Sequence, residues 1–251
     1  MNYDLGERDR NIMILLAERG IVNVSELAEK FQVSEVTIRT DLRGLEERGL
    51  VARTRGGAVP TLHRDILERQ AQRVDEKARI ARAAAELVED GDVIMIEAGT
   101  TTAQVVRFLG GKRDVHLVTN SMLAFNFSRA NPALQVTMTG GDFRRSTESF
   151  VGPLALRVIE RMNVKWAFVG TDGFSAEKGM TTHLVEAAEI VMAMKKNAER
   201  TVLVADASKY GRIGFASMLS LQEVDMVITD KSLSQEARDE LAAADVKLDI
   251  V

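Results

Sequence analysis

The first sixty residues carry apolar side chains at the spacing of short amphipathic helices. Residues 5–19 have apolar positions on one helical face and are followed by Gly20, which predicts a helix that ends there. Asn23, with Glu26 three residues later, has the spacing of a capping box and predicts the start of a second helix. The chain therefore begins with two helices in quick succession.

A third helix follows, and after it comes a pattern typical of a hairpin. Ser34 is the predicted N-cap of this helix. Its apolar stripe, spaced i, i+4 and i+7, consists of Ile38, Leu42 and Leu45. Residues 50–59 contain a short β-type run with Gly56-Gly57, which suits a small hairpin. Because only three residues separate the second and third helices, we predict a helix-turn-helix motif at about 20–39, with the hairpin as its wing.

From residue 75 onward, apolar runs alternate with helical stretches. Nearly continuous apolar runs between helices are typical of strands in a parallel sheet that is covered on both faces. The predicted strands are 93–96, 116–119, 134–139, 166–169, 201–205, 226–229 and 246–251, and the predicted helices include 75–89, 185–197 and 234–244. We therefore predict a larger α/β domain with a mostly parallel sheet at 75–251, a linker at 60–74, and a winged helix-turn-helix domain at 1–59.

Composition and charge narrow the function classes. The chain has 251 residues, of which 45% are apolar, and this is enough for a buried core. It has no cysteine and three histidines, which excludes disulfides, cysteine-ligated zinc and thiol nucleophiles and predicts no metal site. There is no signal-peptide pattern and no apolar run of 18 residues, so we expect a cytoplasmic protein that has no contact with a membrane. The net charge of −4 does not itself indicate nucleic-acid binding.

The third helix and the wing form the candidate DNA-binding surface. With the apolar stripe turned inward, the first turns of the helix face outward with side chains that suit base edges and phosphates. Residues 1–60 hold nine basic and ten acidic side chains, but residues 48–64 hold four arginines and no acidic residue. The candidate contacts to double-stranded DNA are Ser34, Val36, Thr37, Arg39, Thr40, Arg43, Arg53 and Arg55. The alternative is a charged three-helix unit that serves only as a scaffold for other proteins.

Residues 33–59 resemble the N-terminal signature of the DeoR family of bacterial transcription regulators. The match consists of Val33-Ser34, Thr37-Ile38-Arg39, Asp41-Leu42, Leu45-Glu46, Gly49, Arg53 and Gly56-Gly57. Thr40 departs from the pattern, since the family commonly has a basic residue there. The resemblance implies a repressor that binds operator DNA. Because one recognition helix reads few base pairs, we expect a dimer or a higher homo-oligomer.

Glycine, threonine and charged residues follow the predicted strands of the second domain. Because the carboxyl ends of parallel strands meet at one sheet edge, we expect these corners to lie together. Backbone amides, hydroxyls and cations suit a phosphate, while Asn120, Asp172 and Glu186 suit sugar hydroxyls. The candidate site residues are Glu97, Gly99, Thr100, Thr101, Thr102, Thr119, Asn120, Gly140, Gly141, Arg144, Asp172, Glu186 and Lys209. Neither a GxGxxG nor a P-loop sequence is present, so we expect no nucleotide cofactor.

These corners also resemble the effector domain of the DeoR family. The matching stretches are EAGTTT, TNS, TGG with Arg144, GTDG, GMTT and DASK, so the resemblance covers nearly the whole chain. It implies a sensor that binds a phosphorylated sugar or polyol and has a fold similar to ribose-5-phosphate isomerase. The alternative is an isomerase-like enzyme that uses Asp172, Lys178, Glu186 and Lys209. Because a helix-turn-helix has no use in a metabolic isomerase, we predict binding without turnover.

Overall fold

The chain folds into two compact units, each with its own hydrophobic core. The structure is a computed structural model that describes residues 5–251. Among the described residues, 5–72 together with Arg145–Glu148 form the helical unit. The sheet unit consists of Arg73–Arg144 and Ser149–Val251.

The helical unit follows the predicted order of elements. In chain order these elements are α1 (Glu7–Arg19), β1 (Val22–Asn23), α2 (Val24–Phe31), α3 (Glu35–Glu47), β2 (Val51–Thr54), β3 (Gly57–Pro60) and α4 (Arg64–Ala71). The predicted N-cap of the third helix is confirmed, because Ser34 Oγ accepts a hydrogen bond from the Thr37 amide (3.1 Å). The predicted apolar stripe of α3 is confirmed as well, since Ile38, Leu42 and Leu45 are fully buried.

The predicted capping box at Asn23 is wrong. The Asn23 side chain makes no cap hydrogen bond, and its Nδ2 donates instead to Glu26 Oε1 (3.2 Å). Asn23 also belongs to β1, which pairs with β3, and the Val24 amide at the start of α2 donates to Gly56 O (2.8 Å). The first amides of a helix have no hydrogen-bond acceptor within the helix, and here a carbonyl oxygen of the wing accepts from one of them.

The predicted wing is an antiparallel hairpin of β2 and β3. The two-residue strand β1, which the sequence pattern does not predict, adds to the other side of β3 and pairs Asn23 with Gly57. A Cβ atom on Gly57 would lie 1.9 Å from the Val22 carbonyl oxygen. Only glycine therefore allows β1 to approach the wing this closely.

The sheet unit alternates helices and strands, as predicted. Its helices are α5 (Val74–Glu86), α6 (Thr102–Arg107), α7 (Met122–Ser128), α8 (Pro153–Ile159), α9 (Val185–Lys196) and α10 (Gln235–Ala243). Its strands are β4 (Val93–Ile96), β5 (His116–Thr119), β6 (Gln135–Met138), β7 (Asp142–Arg144), β8 (Ser149–Val151), β9 (Val164–Val169), β10 (Gly173–Ser175), β11 (Gly179–Thr182), β12 (Ala198–Val204), β13 (Ala216–Ser217), β14 (Met226–Thr229) and β15 (Leu248–Ile250).

A seven-stranded, fully parallel sheet forms the centre of this unit and confirms the predicted α/β class. Its strand order is β15-β14-β12-β9-β4-β5-β6. The chain runs outward from β4 through β5 to β6, and then resumes at β9 on the other side of β4. The order therefore reverses between β4 and β9, and in open α/β sheets such a reversal point is where ligands bind.

Two smaller sheets are not predicted by the apolar pattern. Strand β7 pairs with β8, and β10, β11 and β13 form a three-stranded sheet. Their strands have only two to four residues, which is too short for alternation to mark them. The predicted helix at 75–89 is also shorter than expected and ends at Glu86.

Candidate functional site

The outer side of α3 carries the helix residues that the sequence analysis assigns to DNA. Val36, Arg39, Thr40 and Arg43 are exposed, and Thr37 is half-buried. Several of their polar groups have partners inside the helix. Thr37 Oγ1 is bonded to Ser34 Oγ (2.8 Å), Thr40 Oγ1 donates to Val36 O (3.0 Å), and Arg39 pairs with Glu35 (2.8 Å).

Three of the four arginines at 48–64 are paired with acidic side chains, so this segment is less positively charged than the sequence indicates. Arg48 pairs with Asp9 on α1 (3.3 Å), and Arg64 pairs with Glu68 (2.6 Å). Arg53 Nε donates to Glu46 Oε2 (2.7 Å), and its backbone amide donates to Glu46 Oε1 (3.2 Å). That backbone hydrogen bond is the main reason why the pKa of Glu46 is lowered, with the guanidinium adding to it. Within residues 5–251, Arg55 on the wing has no ion pair.

The reversal point of the parallel sheet brings together residues from two predicted corners. Glu97, which directly follows β4, is buried, and its Oε2 accepts a hydrogen bond from the Gly170 amide after β9 (3.2 Å). Gly99 lies against Thr102, since a Cβ on this glycine would be 2.8 Å from Thr102 Oγ1. Thr102 begins α6 and is fully buried, whereas Thr100 and Thr101 are half-buried.

The next strand, β5, contributes two buried predicted residues to the same edge of the sheet. Thr119 Oγ1 donates to Ile96 O (2.6 Å) and thereby ties the end of β5 to the end of β4. Asn120 Nδ2 donates to Phe150 O (3.1 Å), and Asn120 O accepts from the Phe150 amide (2.8 Å). Because a carbonyl only accepts, the Asn120 amide nitrogen must face Phe150, and its Oδ1 is turned the other way.

Six buried side-chain atoms of the described residues lack a hydrogen-bond partner, and two of them lie just after β4 and β5. They are Thr102 Oγ1 and Asn120 Oδ1, for which the described residues provide neither a donor nor an acceptor. An unpaired buried polar atom costs about 1–3 kcal/mol, so such atoms are rare in native structures. A ligand hydroxyl could donate to Asn120 Oδ1, and a ligand hydroxyl or phosphate oxygen could accept from Thr102 Oγ1.

Close packing explains why a glycine is needed in the corner after β6, at residues 140–141. Gly140 and Gly141 both have positive φ angles. A Cβ on Gly141 would lie 2.5 Å from the Val151 carbonyl oxygen, so this glycine allows the chain to pass close to β8. Both residues remain candidates on sequence grounds, but packing accounts for the type of residue at position 141.

Charged candidates near the small sheets are engaged in local contacts. The Asp172 carboxylate accepts hydrogen bonds from Thr182 Oγ1 (2.9 Å) and from the His183 amide (3.0 Å). Arg144, at the end of β7, forms an ion pair with Glu186 at the start of α9. The pKa of Glu186 is lowered, chiefly by a hydrogen bond to its own amide and also by the Arg144 guanidinium.

Lys209 lies in a single 3₁₀ turn, Ala207–Lys209, that follows β12. Two buried aspartates hold this turn and are missing from the predicted site. Asp206 Oδ1 accepts from the Ser208 amide (3.1 Å), and Asp230 Oδ2 accepts from the Ala207 amide (2.7 Å). Both aspartates are followed two residues later by serine, and this repeated Asp-x-Ser pattern after the neighbouring strands β12 and β14 is the sequence signal for them.

Three of the four residues of the enzyme alternative are engaged in local contacts. Lys178 lies in the turn between β10 and β11 and pairs with Glu177 (2.9 Å). Glu186 is paired with Arg144, and Asp172 holds the segment before α9. Within residues 5–251, no group of acidic residues and histidines is arranged to hold a metal ion. Across the same residues, no helix has the length and apolar character to cross a membrane.

Comparisons with known proteins match both parts of the chain. Residues 8–62 match the model of the DeoR-like helix-turn-helix domain, and residues 72–231 match that of the DeoR C-terminal sensor domain. The HTH-type transcriptional regulator GlpR of Haloferax volcanii is 38% identical over 96% of this chain and 95% of that protein. A putative aga operon transcriptional repressor of Escherichia coli O157:H7 is 32% identical over 98% of this chain and 93% of that protein.

One further relative and one solved structure are also similar to this chain. The lactose phosphotransferase system repressor of Streptococcus mutans is 32% identical over 89% of this chain and 91% of that protein. Among solved structures, ribose 5-phosphate isomerase A of Methanocaldococcus jannaschii is similar over 55% of this chain and 54% of that chain. That likeness has a TM-score of 0.40 and a sequence identity of 21%.

Proposed function

The chain belongs to the DeoR family of transcriptional regulators, and we propose that it represses a sugar or polyol operon until a phosphorylated sugar binds and releases it from DNA. It is a DNA-binding regulator with a sugar-phosphate sensor domain, and it is not an enzyme. Relatives that are named as repressors of the aga operon and of the lactose phosphotransferase system support the choice of a sugar operon.

The two unpaired buried oxygens at the reversal point carry the proposal of an effector site. Thr102 lies beside the contact between Glu97 and Gly170, and Asn120 follows β5, which pairs with β4 on the side away from β9. We assign the effector to this edge, with its phosphate at the amides and hydroxyls of residues 99–102 and at the Lys209 ammonium group. Its hydroxyls are assigned to the buried acceptors, chiefly Asn120 Oδ1. The remaining predicted residues, Thr119, Gly140, Gly141, Arg144, Asp172 and Glu186, belong to the same proposal.

The DNA-binding part of the proposal rests on α3 and the wing. The exposed side of α3 suits the major groove, and Arg53 and Arg55 suit phosphates beside it. Because one α3 helix covers few base pairs, we propose at least a dimer on repeated half-sites, acting in the cytoplasm. The effector releases DNA only if it binds the DNA-free protein more tightly than the DNA-bound protein.

A thermal-shift screen combined with operator binding tests this function. We expect one phosphorylated sugar or polyol to raise the Tm by several degrees and to weaken operator binding, while its unphosphorylated form does neither.

Lys209→Ala should keep the operator affinity and lose most of the effector response, because it removes the cation assigned to the phosphate. A normal response in Lys209→Ala would remove this lysine from the site. No turnover of the effector is expected, because the chain is a regulator and not an enzyme.

We expect Arg53→Ala to weaken binding to all DNA sequences by a similar factor. Loss of one phosphate contact should reduce the slope of log affinity against log salt concentration by about one. The measurement is fluorescence anisotropy on operator and unrelated DNA at several salt concentrations. Arg19→Ala is the matched control, because Arg19 is an exposed arginine of the same unit that pairs with Glu26 on α2 (3.8 Å) and lies outside the wing. An unchanged slope for Arg53→Ala would exclude a phosphate contact by this residue.

A further inference from the structure

The recognition helix α3 exposes an apolar side chain in its first turn. Val36 is 70% exposed, although valine is commonly buried and is not a favoured residue for an exposed helix position. It directly follows Glu35, the first residue of the helix, and so lies at the end that enters the major groove in helix-turn-helix proteins. The core of the helical unit does not use this side chain.

The polar neighbours of Val36 are less available for reading bases than their residue types indicate. The hydroxyls of Ser34 and Thr37 are bonded to each other, and Arg39 is held by Glu35. Thr40 Oγ1 donates to the Val36 carbonyl oxygen (3.0 Å), so the hydroxyl of this exposed residue is engaged within the helix and its methyl group is the branch left to contact a base.

The side chains at positions 36, 40 and 43 share one face of α3, since their spacing is i, i+4 and i+7. This face therefore carries the exposed side chains of Val36, then Thr40, and finally Arg43. Arg43 is exposed and has no ion pair among the described residues. The apolar side chain at the start of this face suits contact with base edges in the major groove. The arginine at its other end suits contact with a phosphate.

We propose that Val36, together with the Thr40 methyl group, contacts thymine methyl groups and makes Val36 a specificity-determining residue. Thymine is the only base that presents a methyl group in the major groove, so an apolar side chain distinguishes it from the other three bases. Each operator half-site accordingly has a thymine where α3 begins. This inference rests on the proposed function, because it requires that α3 reads operator DNA.

The test compares thymine with deoxyuridine, which lacks only the 5-methyl group. The operator is first selected from random DNA with the full-length protein, and each thymine of a half-site is then replaced by deoxyuridine. Wild-type protein should lose affinity by about fourfold at one or two positions, as expected for one buried methyl group. Val36→Ala should lose a similar factor on the thymine operator and should no longer distinguish thymine from deoxyuridine at those positions.

A control variant and the outcomes separate this inference from the proposed function. Ile21→Ala removes another exposed apolar side chain of the helical unit, outside α3, and should keep the wild-type preference for thymine. One outcome is a defined operator that binds equally well with deoxyuridine at every position. This result would overturn the role of Val36 and would not contradict the proposed function. A preference for thymine that persists in Val36→Ala would also overturn it. Failure to select any sequence would contradict the proposed function itself.

Discussion

Replacing Gly57 with alanine is expected to abolish operator binding and to destabilise the helical unit. The new Cβ would lie 1.9 Å from the Val22 carbonyl oxygen and 3.2 Å from Asn23 Cα, both of which belong to the backbone of β1. Because backbone atoms cannot rotate away, β1 must separate from β3 and the wing must shift. Overpacking of this kind costs about 1–3 kcal/mol, which is a large part of the stability of a unit of this size.

The matched control for this prediction is Gly44→Ala. Gly44 lies inside α3, and a Cβ at this position would meet no atom within 4 Å. Alanine is favoured over glycine in a helix, so Gly44→Ala should raise the stability of the helical unit by about 0.5–1 kcal/mol. Thermal unfolding followed by circular dichroism, with anisotropy on operator DNA for the Gly57 variant, measures both effects. A Gly57→Ala protein with wild-type Tm and wild-type affinity would show that the wing tolerates a side chain there.

Replacing Thr102 with valine is expected to have opposite effects on stability and on effector binding. Valine has nearly the shape of threonine but lacks the hydroxyl, and Thr102 Oγ1 is buried without a partner among the described residues. Removing an unsatisfied polar atom should stabilise the effector-free protein by about 1 kcal/mol. If the hydroxyl binds the effector, the affinity for the effector should fall about tenfold, as expected for loss of a charge-assisted hydrogen bond of about 1.4 kcal/mol.

Thr201→Val separates a binding role from a purely structural one. Thr201 Oγ1 is also buried and unpaired, but the residue lies within β12, three residues before the carboxyl end of the strand. This variant should gain stability in the same way and keep the wild-type effector affinity. Thermal unfolding and calorimetric titration with the effector found in the screen measure both quantities. Equal effector affinities for Thr102→Val and the wild type would remove Thr102 from the effector site.

The long helices, the strands of the parallel sheet and the cap of α3 follow from the sequence, because each depends on residues close in the chain. Ser34 caps α3 through an amide three residues away, and the stripe of Ile38, Leu42 and Leu45 is set by the period of the helix. The seven strands of the parallel sheet are recognisable because a sheet covered on both faces needs apolar residues at almost every position. The α/β class and the winged helix-turn-helix are therefore readable from local pattern.

Only the tertiary structure decides which distant residues meet. The hydrogen bond of Glu97 to Gly170 joins residues 73 positions apart, and it exists because the chain returns to the other side of β4 after β6. The arginines of residues 48–64 look like an unopposed basic segment in the sequence, yet Arg48 meets Asp9 and Arg53 meets Glu46 once the helices pack. The order of strands and the pairing of charges depend on how elements pack against each other. That packing has no local period in the sequence, so the unpaired oxygens of Thr102 and Asn120 become visible only in the folded chain.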